Sequence, residues 1–374
     1  MEVGETSLDR PTRATQRGYI ATLDGWRAIA VGLVISSHSI PMLQNNGSRP
    51  ALLLATLFEH QGYGVDIFFA LSGFLITTLL LRERSRTGSI SLKRFYVRRF
   101  FRIIPPIVCY LASFYILLQT GIIATESGHD FLGSLLFARN YVYGSWYTGH
   151  FWSLSIEEHF YAVIPVLILF RRPHALLTTC LGLIAACIAI RAFEFSHEAW
   201  FEPLPQFRTE NRVDGLLWGS IVAQLCQRPA VLGWLRKTLT WWKVLTLLIA
   251  TIAGLTVFDD HAIRRTIAAA VLPWIIWYTV ENPTGVFGLI LESSLFKALG
   301  RISYSLYIWQ MMFLVPGTRS LGPFQDFPLN LIASFVLAYL SFRWVEAPMI
   351  RIGHHVAETW WRPSPSLVRA SPRK

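Results

Sequence analysis

The chain has 374 residues, of which 53% are hydrophobic and 15% charged, with a mean hydropathy of +0.41. A soluble chain carries roughly 25% charged residues, so the composition excludes an ordinary soluble protein and points to an integral membrane protein. The formal net charge of +11 is assigned to a basic face against anionic lipid rather than to nucleic acid.

Residues 1–18 are polar, and no small-residue cleavage site follows the first apolar run. They are therefore expected to form a cytoplasmic tail rather than a cleavable signal peptide. Windows of about 20 apolar residues place about ten spans, near 20–42, 62–81, 100–121, 152–170, 174–192, 211–227, 243–258, 264–280, 302–318 and 328–345. The segment 285–296 is too short to span easily and is left as an interfacial or re-entrant piece. The expected fold is thus an all-α polytopic bundle of about ten transmembrane helices: residues 1–18 precede a transmembrane domain at 19–351, and a basic, disordered tail follows at 352–374.

With a cytoplasmic N-terminus, only Arg49, Arg139, Arg191, Arg208, Arg212, Arg264, Arg265 and Arg319 of the 34 Lys and Arg fall on the outer side. This positive-inside asymmetry predicts a multi-pass protein of the inner or plasma membrane with both termini in the cytoplasm. Cys109, Cys180, Cys187 and Cys226 all fall within spans without metal-type spacing, so they read as small core hydrophobes and no metal site is expected. There is no phosphate-binding glycine loop, no G-x-S-x-G elbow, no H-E-x-x-H and no convincing internal repeat.

Chemistry must then come from isolated polar residues inside the spans, where ionisable groups cost several kcal/mol and are retained mainly for function. An inner set comprises Arg27, Arg98, Arg99 and Arg102, with Lys93 and Arg94 just outside. Guanidinium groups at that density suit a polyanion, although positive-inside anchoring is the reading favoured for Arg94 and Arg98. An outer set comprises His38, Asp66, Glu157, Glu158, Arg212 and Asp214, and Gln310 is a further polar residue in the ninth span. A histidine near a carboxylate is a general acid/base arrangement. The competing readings are a helix-packing histidine and ordinary interfacial glutamates.

The strings "LDGWRAIAVGLVISSHS", "GVDIFFALSGFLIT", "RRFFRIIPP", "WSLSIEEHFY", "NRVDGLLWG", "LGRISYSLYIWQ" and "FRWVEAPMIR" occur in the order and spacing of the membrane acyltransferase-3 family, which the chain resembles from about Leu23 to Arg351. Members of that family O-acylate surface polysaccharides, peptidoglycan and other acceptors, some macrolides among them. The resemblance implies acyl-CoA, acetyl-CoA above all, as donor substrate from the cytoplasm, and a glycan or glycolipid acceptor. It also implies essential roles for the Arg-x10-His pair (Arg27, His38), for the Arg-x-x-Arg pair (Arg99, Arg102) and for Glu157 or Glu158.

Arg27 and His38 lie about 16 Å apart along a helix, close to the roughly 15–20 Å of a pantetheine arm. One helix would then measure the donor, with phosphates at the arginine end and the thioester at the histidine. Direct attack with His38 as base and an acyl-histidine route are both compatible with these residues. The chain departs from the family at Gln310, where members commonly carry His, so that only hydrogen bonding is left there. It also ends soon after the last span, so acceptor recognition is expected from the membrane domain and its loops. Of these loops, 122–150 holds "NYVYGSWYTGHFW", suited to sugar stacking or to a membrane-interface belt. A second outer loop, "FEFSHEAWFEPLPQF", brings Glu194, Glu198 and Glu202. A proton-coupled transporter is the alternative function, but it should show repeats and broken helices. A non-catalytic scaffold would need neither polar set.

Overall fold

The computed structural model describes residues 20–45, 63–124, 129–197, 205–257 and 261–359, and the described residues form helices and turns without a strand. Every apolar window of the sequence carries a helix. In chain order the main ones are α1 (Ala21–Asn45), α2 (Tyr63–Thr87), α3 (Leu92–Gln119), α4 (Phe151–Phe170), α5 (Pro173–Ser196), α6 (Asp214–Leu225), α7 (Trp241–Val257), α8 (His261–Glu281), α9 (Ser294–Phe313) and α10 (Leu329–Ser341). A π-helical stretch at Phe342–Glu346 joins α10 to α11 (Ala347–Thr359).

The expected count of about ten spans is not confirmed. Among the described residues, five helical segments are long and apolar enough to cross a bilayer: Tyr63–Thr87, Leu92–Gln119, Trp146–Phe170, Pro173–Glu194 and Leu329–Thr359. The reasons are local. Helix α6 has 12 residues, about 18 Å at 1.5 Å per residue, against a hydrocarbon core of about 30 Å. Helices α1, α8 and α9 carry Asp24 and Arg27, Arg264 and Arg265, and Lys297 and Arg301 near their N-terminal ends, which dilutes their hydropathy. Within the segment left open at 285–296, Val286–Leu291 forms a short helix that packs against α1. Residues 352–359, expected to begin the disordered tail, continue α11 to Thr359. The tails 1–18 and 360–374 lie outside the described residues.

Helix α2 is the hub, packed by α1, α4, α6 and α8. Its approach to α6 depends on missing side chains: a Cβ on Gly73 would sit 1.9 Å from the Leu216 carbonyl oxygen, and one on Gly219 would sit 2.5 Å from that of Ala70. Small residues let helix backbones meet where lipid gives no hydrophobic drive between them. Helices α3 and α10 expose Phe100, Ile116, Ile332 and Val336, as apolar outer faces do in lipid. The polar residues turn the other way, toward two cavities flanked by α1, α2, α4 and α9.

Candidate active site

Helix α1 runs unbroken through Arg27 and His38. Eleven residues at about 100° each return to within about 20° of the starting direction, so both side chains occupy one face about 16 Å apart. Each lines a different cavity.

The arginine cavity is lined by Arg27 with Ser72 of α2, Arg99 and Arg102 of α3, Glu157, Glu158 and Tyr161 of α4, and Tyr304 and Tyr307 of α9. The Arg27 guanidinium donates to Asp24 Oδ1 at 2.7 Å. Arg99 lies over the rings of Phe95 and Tyr161, 5.7 and 5.4 Å from their centroids, a stacking geometry that suits guanidinium. Neither Arg99 nor Arg102 has an ion-pair or hydrogen-bond partner among the described residues. Pro105 and Pro106 lie inside α3 and remove the N–H groups that would reach the carbonyls of Phe101 and Arg102. Glu157 accepts from Ser72 (3.0 Å) and Tyr161 (2.6 Å). Glu158 shares the lining without a hydrogen-bond partner among the described residues.

The histidine cavity is lined by Ser37 and His38, by Arg139, Trp146, His150 and Trp152, and by Phe207, Arg212, Arg265, Tyr307 and Met311, among others. The His38 ring meets Trp146 edge-on at 5.8 Å. Its Nδ1 is enclosed and unpartnered, which leaves Nε2 as the nitrogen open to a substrate. Gln310 is its side-chain neighbour, yet neither amide atom of Gln310 completes a hydrogen bond. His150 is 2% exposed, and neither of its ring nitrogens has a partner.

Local chemistry places this wall. Asp130 Oδ2 accepts from Ser145 N and from Thr148 Oγ1, both at 2.9 Å. Arg139 donates to Thr148 Oγ1 and to the carbonyls of Ser145 and Val142. Gly144 is required because a Cβ there would come within 2.1 Å of Asp130 Cβ. Ser145 then caps the short helix Trp146–Gly149, and His150 follows at the head of α4. Val65 and Tyr307 line both cavities. The Tyr307 hydroxyl is fixed at 2.5 Å from Ser153 Oγ and donates to the His150 carbonyl at 3.0 Å, so one held ring stands between the two chambers.

The two polar sets of the sequence are thus redistributed. Glu157 and Glu158 join Arg27, Arg99 and Arg102 rather than His38: α4 starts at Phe151, so Glu157 lies six residues, about 9 Å, inside it. Asp66 takes Arg212 on one oxygen at 2.6 Å and Arg265 on the other at 2.5 Å. Asp214 is paired with the fully buried Arg191 at 2.6 Å. No carboxylate partners His38 among the described residues. Tyr143 and Trp146 of the first aromatic loop do line the histidine cavity. In the second loop Glu194 binds Asn211 and Arg208, while Glu198 and Glu202 lie outside the described residues.

Residues 20–342 match a family described as an acyltransferase domain. The chain belongs to the acyltransferase-3 family. Among curated relatives, the peptidoglycan O-acetyltransferase OatA of Listeria monocytogenes is 26% identical over 379 residues, covering 92% of this chain and 58% of its own. The O-acetyltransferase OatA of Staphylococcus aureus is 28% identical over 371 residues, covering 90% of this chain and 58% of its own. The chain spans about three fifths of the length of the curated relatives it matches. No solved structure matches it.

The sequence reading missed four residues, three within the matched region and Glu346 just beyond it. His150 was passed over as part of an aromatic cluster, although it immediately precedes "FWSLSIEE". Arg191 and Arg265 are charges within or beside apolar windows that stand against the two aspartates. Glu346, in "FRWVEAP", is buried, accepts from Ser305 at 2.7 Å and has Arg102 and Arg27 as cationic neighbours. It sits at the end of the π-helical stretch, and such bulges recur at functional sites.

Proposed function

We propose that this chain is a membrane O-acyltransferase that moves an acyl group, acetyl first among candidates, from acyl-CoA to a hydroxyl of a glycan acceptor. The observation that carries the proposal is the pair of cavities meeting at Val65 and Tyr307, with Arg27 opening into one and His38, three turns further along α1, into the other. Arg99 and Arg102 have free guanidinium edges for the donor's phosphates, and a planar fork binds phosphate oxygens in pairs. The pantetheine arm then runs toward Tyr307 and brings the thioester to His38.

His38 Nε2 removes the proton of the acceptor hydroxyl as its oxygen bonds to the acyl carbon. The carbon–sulfur bond breaks, and the thiolate takes up the proton held by His38. Gln310, adjacent and otherwise unsatisfied, orients the ring. The names of the two OatA relatives support acetyl as the group transferred, and that of the Listeria protein supports a cell-wall glycan as the acceptor.

His38→Ala is expected to lower acyl transfer by 10²–10⁴-fold, the usual worth of a general base, while the protein inserts and accumulates normally. Mass spectrometry of surface glycans from cells with either protein measures it. Activity within about tenfold of wild type would remove His38 from the chemistry.

A further inference from the structure

The charged groups lining the histidine cavity are all of one sign. Arg139, Arg212 and Arg265 face it together with His38 and His150, and among the described residues no Asp or Glu lines it. Behind the wall, Asp130 stands against Arg139 and is taken up by Ser145 N and Thr148 Oγ1, and Asp66 spends one oxygen on Arg212 and the other on Arg265. Two guanidinium groups against one carboxylate leave a surplus positive charge at the wall. Neither arginine is used up: each gives Asp66 a single nitrogen, and a guanidinium has five N–H donors in a fixed fork.

Both arginines are also held in place from below. Arg212 lies over Trp152 at 5.2 Å and Phe69 at 5.8 Å, and Arg265 lies over Tyr63 at 5.2 Å. Arg265 keeps 24% of its side chain exposed. The rest of the wall offers ring faces and edges from Trp146, Trp152 and Phe207, surfaces that pack on the apolar face of a pyranose.

We infer that the acceptor of this cavity is an anionic saccharide, one carrying a carboxylate or phosphate that docks on Arg212 and Arg265 while its hydroxyl faces His38. The inference rests on the acyl-transfer reading above and narrows its acceptor class. A planar, pre-oriented pair of guanidinium groups selects an oxyanion by paired, charge-assisted hydrogen bonds. The aromatic wall favours a sugar over an anionic lipid headgroup.

The test is equilibrium binding to the purified full chain in nanodiscs of uncharged lipid, with a uronic-acid disaccharide and its neutral analogue as probes. Acetyl-CoA binding is read in the same sample. The charged sugar is expected to bind at least ~10-fold tighter than the neutral one, corresponding to about 1.4 kcal/mol, and to lose that margin as salt is raised. Arg265→Gln should erase the margin and Arg265→Lys should keep part of it, with acetyl-CoA affinity unchanged in both. Equal binding of the two sugars, or none of the charged one, overturns the inference. So does displacement of the charged sugar by phosphatidylglycerol in the nanodisc, which would assign the arginines to a headgroup. Absence of acetyl-CoA binding instead strikes the donor reading on which the inference stands. Should Arg265→Gln fail to accumulate, the comparison of charged and neutral sugars with its salt dependence decides alone.

Discussion

At the scale of single residues, the two cavities differ in how their charges are matched. Asp66 and Asp214 are paired with Arg212, Arg265 and Arg191, whereas Arg99 and Arg102 line their cavity with no acid within ion-pair distance among the described residues. Their whole guanidinium forks are available to a ligand, whereas Arg212 and Arg265 keep only the donors that Asp66 leaves. Arg99→Ala or Arg102→Ala is therefore expected to weaken acetyl-CoA binding by about tenfold or more, since hydrogen bonds to charged groups contribute about 1.5–3 kcal/mol each. The corresponding lysine variants should recover only part, because an ammonium cannot reproduce a planar two-point contact. Calorimetric titration of CoA onto the purified protein measures this, and unchanged affinity in both alanine variants would return the two arginines to anchoring. The sequence made such residues visible because any ionisable group stands out in an apolar run. It could not give their partners: Asp66 meets Arg212 across 146 positions and Arg265 across 199. Nor could it show that Glu157 lies with the arginines, because that depends on where α4 begins and how it packs.

At the scale of helices, hydropathy located each element, and five of the described segments are long and apolar enough to cross a membrane unaided. Apolar windows report what a helix buries, and α2, mostly enclosed by its neighbours, reads from its sequence the same as a lipid-facing span. What separates the two is packing, and glycine positions record it. Gly73 and Gly219 sit where α2 and α6 touch backbone to backbone, and Gly300 of α9 meets the Asp24 carbonyl of α1, where a Cβ would come within 2.0 Å. Gly73→Ala is expected to push α6 away from α2 at a cost of about 1–3 kcal/mol, the usual range for overpacking. Gly32 of α1, exposed and with no atom within 4 Å of an added Cβ, should accept alanine neutrally or gain helix propensity. Thermal unfolding of the two detergent-solubilised variants measures the difference. A Gly73→Ala protein as stable as Gly32→Ala would mean that the crossing is looser than the structure has it.

At the scale of the whole molecule, the two cavities give the protein a direction. They share only Val65 and Tyr307 of their linings, and the helix that joins them, α1, carries its arginine near one end and its histidine three turns deeper. On the topology proposed from the basic residues, the Arg27 end faces the cytoplasm and the His38 chamber opens toward the outside. Donor and acceptor then approach from opposite faces, and the acyl group crosses at Tyr307 while CoA stays within. Sealed right-side-out vesicles loaded with acetyl-CoA are accordingly expected to acylate an impermeant external acceptor, and vesicles given acetyl-CoA only outside are not. Cysteine placed at position 38 in a background lacking the four native cysteines should react with an impermeant thiol reagent added from outside. Labelling from the cytoplasmic side alone would overturn the two-sided arrangement. It would place the acceptor on the inner face and leave acyl transfer between the two cavities intact.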